Sequence, residues 1–426
     1  MRANELITFI ENKNLDKELL RIYGEENLEA QRKRYISAVE EFVSFYGELD
    51  VSIFSVPGRS ELSGNHTDHN HGKVMAGSID LDIIAIAAKT DDEVIRIKSQ
   101  GFPEDVVDTK TYKTPNEVDF FKSNALIAGM SRAFENAGAK TGGYVAYTTS
   151  NVFKGSGLSS SAAFEVMVGN ILNYFYNDGE VDNVEIAKMA QYSENVFFGK
   201  PCGLMDQMAC AVGGFVYIDF NDTKNPVIEK IPFDLTGAGY SLCIVNTGGN
   251  HADLNEDYAS VPYEMKSVAK YFGKEYLRQL EKKDVLANIE KLREECGDRA
   301  ILRAIHFFNE NERVTTQAEA LKAGDTQKFL DYVIKSGNSS FMFLQNVFTT
   351  KNVSEQGLSL ALAITDSVLG GKGCAYRVHG GGFAGTIQAF VRTELVEGYR
   401  KAIDSAFGQG ACHVLRIRPD GAIKVL

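Results

Sequence analysis

The chain has 426 residues and a formal net charge of −12, a length that implies two domains or one large α/β unit. An acidic chain without basic clusters argues against a duplex-binding protein, whose affinity would rest on Lys and Arg neutralising phosphates. It leaves room for a small phosphate ligand held by a few local donors. No apolar run approaches a membrane span, and the N-terminus reads as a charged helical pattern, not a signal peptide. The six scattered cysteines include no CxxC pair and read as buried thiols in a reducing cytoplasm.

Residues 1–47 read as helices, with Leu28, Tyr35, Ile36, Val39, Phe42, Val43 and Tyr46 recurring at helical spacing. A cap over a functional site, a dimer surface and simple packing are all open for that segment. Residues 51–56 predict a short strand that stops at the turn signal Pro57-Gly58. Next comes Arg59-Ser60-Glu61-Leu62-Ser63-Gly64-Asn65-His66-Thr67-Asp68-His69-Asn70-His71-Gly72, dense in hydrogen-bonding groups. His66, His69 and His71 stand too close together to converge on a zinc ion from an extended loop. A polyol, which needs donors and acceptors together, suits Asp, Asn and His better; a solvated loop is the bland alternative. Residues 74–88 and 94–98 read as strands paired through a turn at 90–93, and 116–138 as an amphipathic helix. Its stripe of Phe120, Phe121, Leu126, Ile127, Met130 and Phe134 is core or, in part, the wall of an adenine pocket.

A strand at 144–149 and a helix at 162–176 flank Asn151-Val152-Phe153-Lys154-Gly155-Ser156-Gly157-Leu158-Ser159-Ser160-Ser161-Ala162-Ala163. Glycines allow positive φ and close approach, and the new helix turns its free N–H groups and positive dipole end to the loop, which suits a phosphate. The alternative is an ordinary βα turn of small residues with Lys154 as a surface lysine. Residues 183–198 read as a helix carrying Glu194. Asp206, among glycines and apolar residues, either caps the run 207–212 or does chemistry. Strands at 215–220 and 240–245, a turn at 246–250 and mostly helix over 257–348 follow. A strand at 374–379 enters Gly380-Gly381-Gly382-Phe383-Ala384-Gly385, where backbone approaches backbone or ligand. A strand at 386–391, a helix at 393–407 and a closing hairpin over 413–426 complete an α+β chain in two halves, with the cut near residue 220.

The stretches Arg59…Gly64-Asn65-His66-Thr67-Asp68, Gly155-Ser156-Gly157-Leu158-Ser159-Ser160-Ser161-Ala162, Gly203-Leu204-Met205-Asp206 and Gly380-Gly381-Gly382 stand in a fixed order. Together they resemble the galactokinase branch of the GHMP small-molecule kinases, over nearly the whole chain from residue 50. The resemblance implies a two-domain α+β fold, with 1–47 as a helical extension, 48–220 as the N-terminal domain and 221–426 as the C-terminal domain around a cleft. It implies that Gly155 to Ala162 hold the phosphates of ATP and that Ser160 and Glu194 hold Mg²⁺. Asp206 would be the catalytic aspartate and Arg59 its partner. Asn65, His66, Asp68, Gly203 and Tyr258 match sugar-contacting positions. The expected protein is a cytoplasmic monomer or weak homodimer that phosphorylates C1 of a sugar, D-galactose first, with no nucleic-acid or membrane partner.

The family's first motif reads Arg-x-Asn-Leu-Ile-Gly-Glu-His-Thr-Asp-Tyr-Asn; here Glu61, Ser63, Asn65 and His69 replace its Asn, Ile, Glu and Tyr. That Glu meets the C6 hydroxyl in galactokinases, so Asn65 raises the alternative of a C6 carboxylate, as in galacturonate, or another modified sugar. A non-catalytic sugar sensor of the same fold is the rival class. The intact serine run, Glu194 and Asp206 speak against it. No P-loop lysine follows a Gly-rich loop, and Ser160 stands where a dinucleotide fingerprint needs its third glycine.

Overall fold

The computed structural model describes residues 1–153, 157–200, 202–249 and 254–426. Helices α1 (Ala3–Glu11), α2 (Asp16–Tyr23) and α3 (Leu28–Tyr46) come first. Then follow β1 (Ser52–Ser63), β2 (Lys73–Lys89), β3 (Val94–Ser99), β4 (Glu104–Asp108), α4 (Ser123–Asn136), β5 (Tyr144–Ser150), α5 (Ser160–Tyr176), α6 (Asn183–Tyr192), α7 (Met205–Val212), β6 (Phe215–Asp219) and β7 (Val227–Ile231). The second half holds β8 (Tyr240–Asn246), α8 (Asn255–Tyr271), α9 (Lys282–Leu286), α10 (Ile289–Glu295), α11 (Asp298–Lys322), α12 (Thr326–Ser339) and α13 (Gly357–Leu369). It ends with β9 (Ala375–Val378), β10 (Thr386–Arg392), α14 (Val396–Phe407), β11 (Cys412–Leu415) and β12 (Ile423–Lys424).

The α+β expectation holds. One sheet of eight strands runs β12-β1-β2-β5-β3-β4, with β6 joined to β2 and β7 to β6, and a four-stranded sheet runs β11-β8-β10-β9. Strand β2 is apolar almost throughout because both of its faces are covered. Ile84, Ile86 and Ala88 pack on the first three helices. The alternate residues Ile83, Ala85 and Ala87 pack on α4 to α7. On the first side Tyr35, Ala38, Val39 and Phe42 of α3 are buried at the expected spacing. Each such large apolar group taken from water contributes about 1.5–3 kcal/mol. The N-terminal helices are therefore the second cover of this sheet, which is the packing role among the three left open. A further core joins the two sheets, with Leu62, Met75 and Phe215 from one and Leu242, Ile244 and Phe390 from the other.

Four local expectations change. Strand β1 does not stop at Pro57-Gly58; it runs on to Ser63 with its register shifted between Pro57 and Arg59 and again between Glu61 and Ser63. A proline is tolerated where a bulge removes the need for its N–H. Strands β2 and β3 are not paired: β5 lies between them, antiparallel to β2 and parallel to β3. The long helix begins at Ser123, after a single 3₁₀ turn at Glu117–Asp119. The last two strands form no hairpin, since β11 pairs with β8 and β12 with β1. Strands β4 and β7, neither foreseen, are short and largely exposed edges; β7 lies past residue 220 yet still pairs in the first sheet.

Candidate active site

The bulge in β1 turns Arg59 inward. Its N–H donates to Leu158 O at 3.1 Å. A side chain at Gly58 would have no room, because a Cβ there would lie 2.8 Å from that same carbonyl. The guanidinium meets Asp206 as a fork, Nε to Oδ1 at 2.7 Å and Nη2 to Oδ2 at 2.5 Å, the strong planar geometry of arginine with carboxylate. Nη1 donates to Gly157 O, and Ser159 Oγ donates to Asp206 Oδ2. Asp206 is the second residue of α7 and caps nothing there, so helix capping is not its role. Burial pushes its pKa up, but the Arg59 charge and the Arg59 and Ser159 hydrogen bonds outweigh that and hold it below the usual range. A third of the carboxylate side chain stays exposed, against 9% of Arg59. The result is an ionised, held carboxylate that a ligand can still reach.

Of the phosphate loop, Lys154, Gly155 and Ser156 lie outside the described residues, as do Pro201 and Asn250 of other predicted loops. Gly157 (φ +70°) packs over His379, whose Cε1 lies 3.4 Å from where a Cβ would stand. Ser159 also has a left-handed backbone, φ 58° and ψ 58°, a conformation that costs a non-glycine residue about 1–3 kcal/mol and collects at functional sites. Leu158 and Ala162 are buried, and Ser160 opens α5. Ser160 and Ser161 border a cavity of 660 Å³ whose other walls include Phe121, Asn124, Leu126 and Phe164. The predicted stripe thus divides. Ile127, Met130 and Phe134 are core, while Phe121 is exposed and faces the cavity with Leu126. Asn124 Oδ1 is buried there and has no hydrogen-bond partner among the described residues.

Opposite the loop, Asp68 begins a 3₁₀ turn, and its Oδ1 accepts from His69 N at 3.0 Å. Gly203 lies against it: a Cβ would sit 2.6 Å from Asp68 Oδ2. His66 (φ 59°) donates from Nε2 to Gly381 O at 2.8 Å, and burial pushes its pKa down to about 4. Tyr258 donates its hydroxyl to Gly382 O at 3.1 Å and stands edge-on to Phe383, with ring centroids 5.5 Å apart. The triple-glycine loop is tight for this reason; a Cβ on Gly381 would lie 2.6 Å from the Tyr258 ring.

Asn65 departs from the expectation. It is fully buried, and its amide is used up inside the protein. Nδ2 donates to Glu61 Oε1 at 3.0 Å and to Gly380 O at 2.6 Å, while Oδ1 accepts from Asn346 Nδ2 at 2.8 Å and Ser340 Oγ at 3.3 Å. An amide with both ends satisfied has nothing left to offer a sugar. Glu61 also takes Arg377 Nη2 at 2.9 Å. Burial raises the Glu61 pKa against the lowering charges of Arg377 and Arg59. This network ties the first motif to the glycine loop.

Glu194 sits in a π turn, Ser193–Phe197, and is buried. Lys200 Nζ reaches its Oε1 at 2.9 Å and Gln207 Nε2 its Oε2 at 2.7 Å. Gln207 is the neighbour of Asp206, so Glu194 and the Arg59–Asp206 pair share one wall. Glu165 of α5 shares Gln207 Nε2, at 3.3 Å; burial and the Glu194 charge push its pKa well up. Among the described residues no three His, Cys, Asp or Glu side chains group as a metal site. Sequence reasoning missed Glu165, Lys200, Gln207, Arg377, His379 and Asn346. Glu165 and Arg377 did carry a signal, a lone charge inside an apolar helix and an apolar strand. Asn346 carried none.

Two sheets, a serine-rich helix start and a forked Arg–Asp pair define a small-molecule kinase of the GHMP type. The model of the GHMP kinases N terminal domain matches residues 125–214, and the galactokinase galactose-binding signature matches 40–89. The galactokinase of Streptomyces coelicolor is 31% identical over 379 residues, 89% of this chain and 94% of that one; that of Clostridium tetani is 28% identical over 87% and 91%. The solved Lactococcus lactis galactokinase complexed with galactose shares the fold, with a TM-score of 0.75 at 24% identity over 92% of this chain and 100% of that one. The Methanococcus jannaschii mevalonate kinase follows with a TM-score of 0.60 at 17% identity, covering 86% of this chain and 98% of that one. This chain belongs to the galactokinase family and is a sugar kinase.

Proposed function

We propose that this enzyme transfers the γ-phosphoryl group of ATP to the C1 hydroxyl of galactose. The observation that carries the reading is the Arg59–Asp206 fork, ionised, part-exposed and hydrogen-bonded to Gly157 and Ser159 of the phosphate loop. Phosphoryl transfer asks a protein mainly for positioning and for neutralisation of charge. Asp206 accepts the proton of the C1 hydroxyl as the oxygen attacks. Arg59 keeps that carboxylate ionised and stabilises charge on the transferring group. Asp68, His66, Gly203 and Tyr258 shape the sugar side. The cavity beside Ser160 and Ser161 takes the nucleoside, and the unpartnered acceptor of Asn124 suits the amino group of adenine.

Ser160 and Glu194 would hold Mg²⁺. Both oxygens of Glu194 now hold protein donors, but Lys200 is half exposed and able to leave. A hydroxyl and a carboxylate are the hard oxygen ligands Mg²⁺ accepts, with phosphate and water completing its shell. The ion would neutralise phosphate charge. The buried, satisfied amide of Asn65 removes the motive for a uronate substrate. We further read the chain as cytoplasmic, in keeping with six free cysteines, as a monomer or weak homodimer, and as functionally divided at 1–47, 48–220 and 221–426 with β7 and β12 crossing back. No helix among the described residues is long and apolar enough to cross a membrane.

The test is coupled ADP release with Mg·ATP across galactose, galacturonate, glucuronate, N-acetylgalactosamine, glucose and arabinose. Galactose is expected to give the highest kcat/KM. A clear preference for a uronate or an N-acetyl sugar would overturn the substrate, and silence across the panel would overturn the activity.

A further inference from the structure

The first three helices cover a sheet, yet one of their side chains reaches the strand that feeds the phosphate loop. Arg34 of α3 donates from Nη2 to Asp82 O at 3.0 Å and Thr149 O at 3.1 Å, and from Nη1 to Asp82 Oδ1 at 2.7 Å. Asp82 N donates to Asn151 Oδ1 at 2.6 Å, and Asn151 N donates back to Asp82 O at 3.1 Å. Asp82 is fully buried, and Tyr23 of α2, Ser55 and Arg418 also donate to its carboxylate. Thr149 and Asn151 are thus gripped from the helical side. Their alternates in the strand pattern, Thr148, Ser150 and Val152, line the cavity together with Ile83. Successive side chains of a strand point to opposite faces, so one face of this segment is held by the helices and the other is the cavity wall. The chain enters the phosphate loop directly beyond it.

We propose that the N-terminal helical segment is a positioning element of the nucleotide site, in which Arg34 clasps the backbone at Asp82 and Thr149 and so fixes the cavity wall and the entry to the phosphate loop. This rests on the reading of that cavity as the place of the nucleoside. Arg34 is a positioning residue and touches no substrate.

Two variants loosen the clasp from opposite ends. Arg34→Lys keeps a positive charge for Asp82 but loses the planar fork that spans two carbonyls and a carboxylate. Asn151→Ala removes the Oδ1 that accepts from Asp82 N and leaves only the backbone half of that pair, Asn151 N to Asp82 O. Each is measured for ADP binding by calorimetry, for KM with ATP and with galactose, and for thermal unfolding. Ångström-scale misplacement of a binding wall is expressed as roughly a tenfold or larger rise in the ADP dissociation constant and the ATP KM; the galactose KM should stay within about twofold. If Arg34→Lys fails to fold, Asn151→Ala decides. Unchanged ADP binding, or an equal rise in both KM values, overturns the proposal. Ser150→Trp, at an exposed position on the cavity wall, checks the underlying reading. Wild-type ADP affinity in that variant means the nucleoside lies elsewhere. Blocked binding there, with normal binding in the other two, rejects the clasp alone.

Discussion

Asn65→Glu tests where the side chain at the sugar-facing motif points. In the folded protein the amide nitrogen lies 3.0 Å from Glu61 Oε1 and 2.6 Å from Gly380 O. A carboxylate placed there faces a second carboxylate and a carbonyl, with no donor between them. Two unit charges 3.0 Å apart repel by about 5.5 kcal/mol at an effective dielectric constant of about 20. The protein escapes that repulsion by keeping the new Glu protonated, so that its O–H donates to one of the two acceptors. Holding a group of ordinary pKa about 4.3 protonated at pH 7 costs about 2.7 units at about 1.36 kcal/mol each, or about 3.7 kcal/mol. That smaller figure governs. The native state binds a proton that the unfolded chain has released, so stability falls as pH rises. The deficit relative to wild type should be near zero at about pH 4 and reach about 3.7 kcal/mol at pH 7. Urea unfolding of both proteins followed by circular dichroism between those pH values measures it. The double variant E61N/N65E separates the charges and should recover most of the loss. An N65E protein as stable as wild type at pH 7, with a lower KM for galactose, would refute the reasoning and turn this side chain toward the sugar.

Asp206→Asn should fold and keep nucleotide binding while kcat falls about 10²–10⁴-fold, the range of a lost general base; isothermal titration with ADP and an ADP-release assay check both halves. Gly203→Ala puts a Cβ 2.6 Å from Asp68 Oδ2 and should raise the galactose KM about tenfold or more with the ATP KM little changed, as steady-state kinetics in each substrate will read. Glu194→Gln should raise the Mg²⁺ concentration for half-maximal rate about tenfold or more, since one anionic ligand is lost; a Mg²⁺ titration at fixed ATP measures this. His379 and His306 are buried with pKa values pushed down to about 3 and about 4 by desolvation. The unfolded chain takes up these protons first, so stability should decline as pH falls below about 6.5, and His379→Gln should flatten that slope in urea titrations.

Much of this was legible in the chain itself. The serine-rich turn between a strand and a helix, the lone Asp206 among glycines and the triple-glycine stretch each state a backbone requirement or a chemistry that neighbouring residues can express. Their order along the chain carried the family, and Arg59 with Asp206 followed from it. The stripe on α3 and the double-sided apolar run of β2 likewise announced buried faces by their periods.

What no local pattern could settle is which partners meet. Strand pairing is decided by the whole sheet, so β5 entered between two strands whose spacing suggested a hairpin. From its place in the motif alone, Asn65 reads as a specificity residue. Asn346, 281 residues away in sequence, and Gly380, 315 away, claim its amide. The N-terminal helices showed a stripe but not its destination, and Arg34 showed only a charge until Thr149, 115 residues on, came within hydrogen-bonding reach. Sequence by itself determined the class of chemistry, because that chemistry needs particular groups at short spacing. Tertiary structure decided which of those groups remain free to act, because in a buried interior each donor and acceptor is taken by whatever the fold brings beside it.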